Sequence, residues 1–316
     1  MTLNNPSGLS STADIAVCTY LVVMCILSLF GNVTVLAVKV KNRKQLKTHD
    51  YFIINIAVAD IGAVTTGYVL AAVSARNHMW YFGSTGCSLV GFSGWFFNCV
   101  SMITLSVIAI VRYSIVVGNQ GTSIKKNTIL IIIAMIWLYS AFWSVAPLVG
   151  WDRYALEPHL TSCTIDWTST QKADIAYIVC IFVWCFAFCL VSIVYSYGGI
   201  ILTVRQIQQN LFSDSRKSEM NKQRKTTKMF AITTICYLVS WTPYAVMSLI
   251  SVIQGSAAGI PIALTTLPTL FAKFSCVYNP VVYYITDETF RKSTSQMFGG
   301  IRSLFCGNRV TPDVVV

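Results

Sequence analysis

The chain has 316 residues, of which 55% are hydrophobic and 11% are charged, and its formal net charge is +11. So small a charged fraction excludes an ordinary soluble globular protein of this length and indicates a membrane protein. The positive charge requires no nucleic-acid partner, because basic residues in short loops set membrane topology and attract anionic membrane lipid.

Apolar stretches long enough to cross a bilayer as helices, about 20 residues each, recur along the chain. They predict seven membrane-spanning helices, at Ile15–Val40, Tyr51–Val73, Cys87–Val111, Ile129–Val149, Ile175–Val204, Met229–Ile253 and Ile260–Ile285. We therefore expect an all-α membrane protein. Residues 15–285 would form one seven-helix bundle, residues 1–14 an N-terminal segment and residues 286–316 a C-terminal tail.

The basic residues predict the orientation of this bundle. Most of them fall in the loops after the first, third and fifth helices and in the tail, whereas the opposite side carries only Arg76, Arg153 and Lys172. The positive-inside rule places the N-terminus outside the cell and the C-terminus in the cytoplasm. We expect a multi-pass protein of the plasma membrane.

Two cysteines lie on the predicted outer side. Cys87 opens the third helix and Cys163 lies between the fourth and fifth helices, so the oxidising compartment permits a disulfide between them. Cys306, in the tail beside Phe305, is a candidate palmitoylation site. We expect no metal site.

Lys273 lies in the middle of the seventh apolar stretch, about a dozen residues from either end. A lysine at the bilayer centre costs at least about 2.5 kcal/mol on insertion scales. The alternative, a lysine that extends to the lipid headgroups, would need to reach about 18 Å along the helix. A neutral or covalently modified lysine facing a closed pocket accounts better for this position.

Several short motifs occur in a fixed order along the predicted helices, and together they resemble the rhodopsin-like G-protein-coupled receptors. The resemblance covers nearly the whole chain. The motifs are Gly31-Asn32, Ala57-Val58-Ala59-Asp60, Cys87, Arg112-Tyr113, Trp137, Trp241-Thr242-Pro243-Tyr244 and Asn279-Pro280-Val281-Val282-Tyr283.

Within that superfamily, Lys273 lies six residues before Asn279, where opsins carry the lysine that binds retinal. The chain therefore resembles an opsin. More narrowly, two regions are similar to the neuropsin group of non-visual opsins. These are the outer loop with Glu157-Pro158 and Thr161-Ser162-Cys163-Thr164-Ile165-Asp166-Trp167, and the start of the seventh helix with Ile260-Pro261-Ile262 and Pro268-Thr269-Leu270.

The opsin resemblance implies retinal, as the 11-cis or all-trans isomer, bound as an imine on Lys273. A protonated imine in a medium of low dielectric needs a counter-charge. Val90 occupies the position where vertebrate visual opsins place that acid. We expect Glu157, six residues before Cys163, to be the counterion. The alternative is that Glu157 is a solvated loop carboxylate.

The resemblance also implies an apolar retinal pocket and a relay to a heterotrimeric G protein, with arrestin and a receptor kinase as further partners. The expected pocket residues, for which core packing is the alternative role, are Trp241, Tyr244, Trp95, Phe186 and Trp167. The expected activation switches are Asn32, Asp60, Arg112, Tyr197, Pro243, Asn279, Pro280 and Tyr283. Phe290 and Arg291 would begin a short amphipathic helix on the cytoplasmic face.

Two departures from the receptor pattern concern Arg112. The acid that usually precedes this arginine is Val111 here, and the inner end of the sixth helix has Gln223 where an acid is usual. The inactive state therefore lacks two charge pairs, and we expect raised activity in the dark.

Two other functions remain open at the level of sequence. A retinal photoisomerase would use the same Lys273 and signal weakly. A receptor for a diffusible ligand would leave Lys273 unexplained, and Gly94 stands where amine receptors carry their anchoring aspartate. We expect a receptor rather than an enzyme.

Overall fold

A computed structural model describes residues 5–117, 124–210, 214–255 and 260–305, and within these ranges it does not describe the side chains of residues 206–210, 214–222 and 300–305. The candidate palmitoylation site, Cys306, lies outside the described residues.

The described chain is almost entirely helical, with one short β-hairpin between the fourth and fifth helices. The helices are α1 (Ser11–Lys41), α2 (Thr48–Arg76), α3 (Gly83–Val117), α4 (Lys126–Val149), α5 (Lys172–Ile181 and Phe188–Asn210, joined by a wider turn at Phe182–Ala187), α6 (Asp214–Gln254), α7 (Ile262–Lys273 and Ser275–Thr286) and α8 (Glu288–Phe305). The strands are β1 (Tyr154–Leu156) and β2 (Cys163–Ile165).

The structure confirms the predicted seven-helix membrane fold. Helices α1 to α6 are each long and apolar enough to cross a bilayer. The seventh crossing consists of the two halves of α7, which meet at Phe274. Neither half reaches the length of about 20 residues that a crossing needs, but together they do.

The first helix begins at Ser11, earlier than the predicted Ile15. Ser10 caps it, because its side-chain oxygen accepts a hydrogen bond from the Ala13 N–H at 3.2 Å. The carboxylate of Asp14 is fully buried and bonded to Ser7 at 2.7 Å and to His78 at 2.8 Å. Part of the predicted N-terminal segment is therefore packed against the end of α2.

Polar side chains join the helices inside the bundle. The Trp137 indole N–H donates to the side-chain oxygen of Asn55 at 2.7 Å, and the Asn55 amide donates to Thr104 at 2.8 Å. These bonds connect α4, α2 and α3. Gly31 allows α1 to approach α7 closely, because a Cβ there would lie 2.9 Å from Cγ of Pro280.

The β-hairpin covers one end of the bundle, and we call it the lid. Leu156 pairs with Cys163, and the predicted disulfide from Cys163 to Cys87 ties the lid to α3. Arg153 closes the open side of the hairpin by binding Asp166 at 2.7 Å.

The predicted amphipathic helix is present as α8. Phe290 is buried, and Nζ of Lys39 lies 5.8 Å from the centroid of its ring. The Asn42 side chain, just after α1, donates to Ser293 at 3.1 Å. Helix α8 is therefore attached to the end of α1.

Candidate functional site

Lys273 is the last residue of the first half of α7, and the helix is interrupted directly after it. The Val277 N–H bonds to the carbonyl of Phe274 at 3.0 Å rather than to that of Lys273. The Lys273 carbonyl instead accepts hydrogen bonds from the Tyr68 hydroxyl at 3.0 Å and from Sγ of Cys276 at 3.1 Å. The break is thus stabilised by a partner from α2.

The side chain of Lys273 lines a cavity under the lid. Its Nζ lies 5.2 Å from the centroid of the Tyr68 ring, within the range of a cation–π contact. Glu157 of the lid lines the same cavity. Lys273 and Glu157, which the sequence singled out, are 116 positions apart in the chain and line the same cavity.

A second cavity adjoins the first and is lined mainly by aromatic and apolar side chains. The two cavities share four lining residues, namely Trp95, Asn98, Trp241 and Tyr244. All five predicted pocket residues line the second cavity, which also contacts residues that the sequence did not single out: Cys99, Met102, Ile181, Phe182, Tyr237, Ala245 and Ser248.

The aromatic walls are packed against one another. The Trp241 ring stacks on Tyr237 at 5.8 Å and meets Tyr244 edge-on at 5.8 Å. Helix α6 continues through Pro243, between Trp241 and Tyr244. A change in the shape of a ligand in this space would therefore press on several linked rings of α6.

Tyr244 also connects α6 to the lid. Its hydroxyl accepts a hydrogen bond from the Trp167 indole N–H at 3.0 Å and lies 2.9 Å from the Thr164 hydroxyl. Trp167 in turn packs edge-on against Trp95 of α3 at 6.5 Å. The lid, α3 and α6 therefore share one set of side-chain contacts above the cavities.

Glu157 lies in the turn of the lid and is only 5% exposed. The alternative of a solvated loop carboxylate does not fit this burial. Its backbone N–H donates to the carbonyl of Ser162 at 2.9 Å, and its carbonyl accepts from the Leu160 N–H at 2.8 Å. No ion pair within 4.0 Å joins Glu157 to Lys273 among the described residues. The glutamate faces the lysine across the cavity.

A third cavity, open in part to solvent, lies on the other side of Glu157, between the lid and α6 and α7. It shares Glu157, Thr164, Tyr244 and Thr269 with the Lys273 cavity. Its remaining hydroxyl groups include those of Ser248, Ser251, Thr265 and Thr168. Glu157 thus stands in the wall between the lysine and a hydroxyl-lined space.

Two of the predicted switches, Asp60 and Asn279, contact each other in the middle of the bundle. The Asn279 amide donates to Asp60 at 2.8 Å, and the Ser101 hydroxyl donates to the other carboxyl oxygen at 3.3 Å. Asn32 of α1 donates to the carbonyl of Cys276 in α7 at 2.9 Å. These bonds connect α1, α2 and α3 to the half of α7 that follows Lys273.

Two further switches lie in that second half of α7. Pro280 packs against Gly31, and Tyr283 is 2% exposed. The Tyr283 hydroxyl has no hydrogen-bond partner among the described residues.

At the other end of the bundle, Arg112 of α3 is bound to α6 by uncharged groups. One guanidinium nitrogen donates to the Gln223 side chain at 2.7 Å and to the Gln223 backbone carbonyl at 2.8 Å, and Nε donates to the Thr227 hydroxyl at 3.2 Å. Tyr197 is partly buried on α5, and no hydrogen bond joins it to Arg112 within the described ranges. Among the side chains that the structure describes, the contact between α3 and α6 at Arg112 contains no acid.

Besides the lining residues named above, which include Phe182, sequence reasoning missed Tyr68 and His159. Tyr68 and Phe182 lie in the wider helical turns Val64–Tyr68 and Phe182–Ala187, which often occur at functional sites. Such turns have no sequence signature. His159 could have been noted as an ionisable residue two positions from Glu157, but the two lie in a turn, where the sequence does not fix the direction of the side chains.

These features define a seven-helix membrane receptor with a covered ligand cavity. Residues 31–283 match the family described as "7 transmembrane receptor (rhodopsin family)". The chain therefore belongs to the rhodopsin family of seven-transmembrane receptors, in its opsin branch, and is a receptor rather than an enzyme.

Its relatives support the narrower assignment. The chain is 36% identical to Opsin-5 of Mus musculus over 90% of its own length and 76% of that protein. It is 31% identical to "Rhodopsin, G0-coupled" of Mizuhopecten yessoensis, over 88% of the chain and 71% of that protein. The crystal structure of squid rhodopsin superposes with a TM-score of 0.86 at 26% identity, covering 94% of this chain and 88% of that one. The neuropsin-like resemblance is confirmed.

Proposed function

We propose that the chain is a light-sensing receptor that holds retinal through a Schiff base on Lys273, with Glu157 as its counterion. The observation that carries the proposal is the shared cavity: Lys273 and Glu157 line one space, which adjoins an aromatic cavity. Bound retinal would supply the light-absorbing polyene and its change of shape. The apolar walls fit such a chain, which has no hydrogen-bonding groups of its own.

The choice of counterion follows from the lining of the Lys273 cavity. A cation there needs a nearby negative charge, because the surroundings are of low dielectric. Glu157 is the one acid among the described residues that line this cavity, and Val90 lines it without contributing a charge. Because no direct ion pair is formed, the charge of Glu157 would act across the cavity or through bound water.

The signal would leave the site through α6 and α7. A ligand that presses on Trp241 acts on α6, which carries the Gln223 and Thr227 groups that hold Arg112. Opening that contact would expose a groove for a helix of a heterotrimeric G protein. The Arg112 end would then face the cytoplasm at the plasma membrane, where arrestin and a receptor kinase would also bind.

Lys273→Ala tests the covalent attachment. The wild-type protein, incubated with 11-cis or all-trans retinal, is expected to form an absorption band whose chromophore stays with the chain after acid denaturation. The alanine variant is expected to form none, because the amine is absent. Lys172→Ala, at the start of α5, is the control and should bind retinal normally. A retained adduct in Lys273→Ala would contradict the proposal.

Light-dependent nucleotide exchange on a purified G protein tests the receptor function. The relative from Mizuhopecten yessoensis is described as G0-coupled, so Go is the first G protein to assay. Exchange that rises on illumination supports signalling. Photoconversion of retinal without nucleotide exchange on any class of G protein would instead support the function of a retinal photoisomerase.

A further inference from the structure

The turn of the lid places a histidine beside the proposed counterion. Between β1 and β2, Glu157 and His159 are buried, whereas Pro158 and Leu160 are exposed. Leu160 has a positive φ of 52°, which bends the chain so that the turn closes within a few residues. The two ionisable side chains therefore point inward together.

His159 is 2% exposed, and its Nε2 lies 3.2 Å from Oε2 of Glu157. The distance is that of a hydrogen bond, but the two groups are not well aligned, and within the described residues Oε2 has no other donor. The torsion that rotates an imidazole ring is broad. A modest rotation of His159 would align its N–H with the carboxylate.

The charged groups around His159 come from three elements. Glu157 lies in the same turn, Lys273 approaches from α7 and Asp14 from α1. Burial is the largest effect and lowers the pKa of His159 below its usual 6.5; Lys273 adds to this lowering, whereas Glu157 and Asp14 oppose it without reversing it. The imidazole is therefore neutral at physiological pH. It can donate one N–H without cancelling the negative charge of Glu157.

We infer that His159 is a positioning residue for Glu157: its Nε2–H donates to the carboxylate, orients it and keeps it ionised opposite Lys273. The inference rests on the proposed counterion role of Glu157. A hydrogen bond to the charged form of an acid favours that form and so lowers its proton affinity. Without the donor, the charged form of this carboxylate would lose that stabilisation.

Two amide variants provide a matched test. In His159→Gln, the amide nitrogen can reach the place of Nε2 and still donate. In His159→Asn, the same amide is one methylene shorter and cannot. The readout is the infrared band of a protonated carboxyl group, assigned to Glu157 by its loss in Glu157→Gln and followed against pH in the retinal-free protein.

We expect His159→Asn to raise the midpoint of this band by about one to two pH units, the effect of one hydrogen bond to a charged group. His159→Gln should stay close to the wild type. The control, His78→Gln, alters a histidine bound to Asp14 and should leave the band unchanged.

An unchanged midpoint in His159→Asn would overturn the inference. Equal shifts in His159→Asn and His159→Gln would also overturn it, because they would show that the packing of the histidine ring, rather than its hydrogen bond, affects Glu157. If His159→Asn does not fold, His159→Leu replaces it with the same expectation. The readout is made without retinal and does not require attachment of a chromophore to Lys273, so failure here is distinct from failure of the chromophore proposal.

Discussion

At the scale of single residues, Tyr68 contributes to the site through both its ring and its hydroxyl. The ring lies under Nζ of Lys273, and the hydroxyl binds the carbonyl that the break in α7 leaves without a helical partner. A buried carbonyl without a donor is costly, typically by about 1–3 kcal/mol. The backbone at Lys273 is therefore held in place by a residue of α2.

Glu157→Gln gives the prediction that belongs to this scale. Removing the negative charge should lower the pKa of the proposed retinal Schiff base and move its visible band toward the ultraviolet at neutral pH. Spectra recorded over a range of pH will measure the shift. Glu288→Gln, on the exposed surface of α8, is the control. A spectrum identical to the wild type at every pH would remove Glu157 as counterion.

At the scale of elements, the contact between α3 and α6 determines how firmly the resting state is closed. Arg112 is 4% exposed and bonded to Gln223 and Thr227, so the absence of a carboxylate has not left it free. The neutral acceptors Gln223 and Thr227 lack the additional Coulomb attraction that a carboxylate would give the Arg112 guanidinium. Helices α3 and α6 are therefore held together, but less firmly than an ion pair would hold them.

This contact predicts the effect of restoring an acid beside Arg112. Val111→Glu should reduce nucleotide exchange in the dark and in the retinal-free protein, because a charge pair would favour the closed arrangement. Val111→Gln, of similar size but uncharged, should change the dark rate little. Equal dark rates in the wild type and the Val111→Glu variant would show that the missing acid has no effect on basal activity.

At the scale of the whole molecule, folding stability depends on pH through the base of the lid. Asp152 is 5% exposed and has a φ of 74°, and one of its carboxyl oxygens accepts from the Arg153 N–H at 2.6 Å. The other oxygen has no partner among the described residues. Burial is the main reason that the pKa of Asp152 is raised to about 7.

The folded protein therefore keeps this proton up to about pH 7, whereas the unfolded chain releases it near pH 4. The contribution of Asp152 to the free energy of unfolding is therefore lost as the pH rises from about 4 to about 7. Asp152→Asn cannot ionise and tolerates a positive φ, so its Tm should exceed that of the wild type at pH 8, and the difference should be smaller at pH 5. A Tm lower than the wild type at pH 8 would contradict this.

Asp166→Asn is a control for which the opposite dependence of stability on pH is expected. Burial tends to raise the pKa of Asp166, but hydrogen bonds from Thr168 and Arg153 outweigh it and lower the pKa. The stabilising effect of the ionised Asp166 is present at neutral pH and is lost as the pH falls through its lowered pKa. This variant should therefore be less stable than the wild type at pH 8.

Much of the fold could be predicted because membrane helices are local in sequence. A helix in lipid satisfies its own backbone hydrogen bonds, so an apolar run of sufficient length is enough to indicate it. The boundaries were less predictable. Ser11 rather than Ile15 begins α1 because a cap and the buried Asp14 extend it, and α7 breaks after Lys273 because Tyr68 binds the freed carbonyl.

The sequence alone determined the membrane class, the number of helices, the Cys87–Cys163 pair and Lys273 as the anomalous cation, since each depends on composition or on order along the chain. Only the tertiary structure decided that Lys273 and Glu157 face one cavity, that His159 contacts Glu157 and that Arg112 binds Gln223. These contacts join segments far apart in the sequence or depend on side-chain direction in a turn. Packing of the bundle and the lid, rather than any local pattern, brings them together.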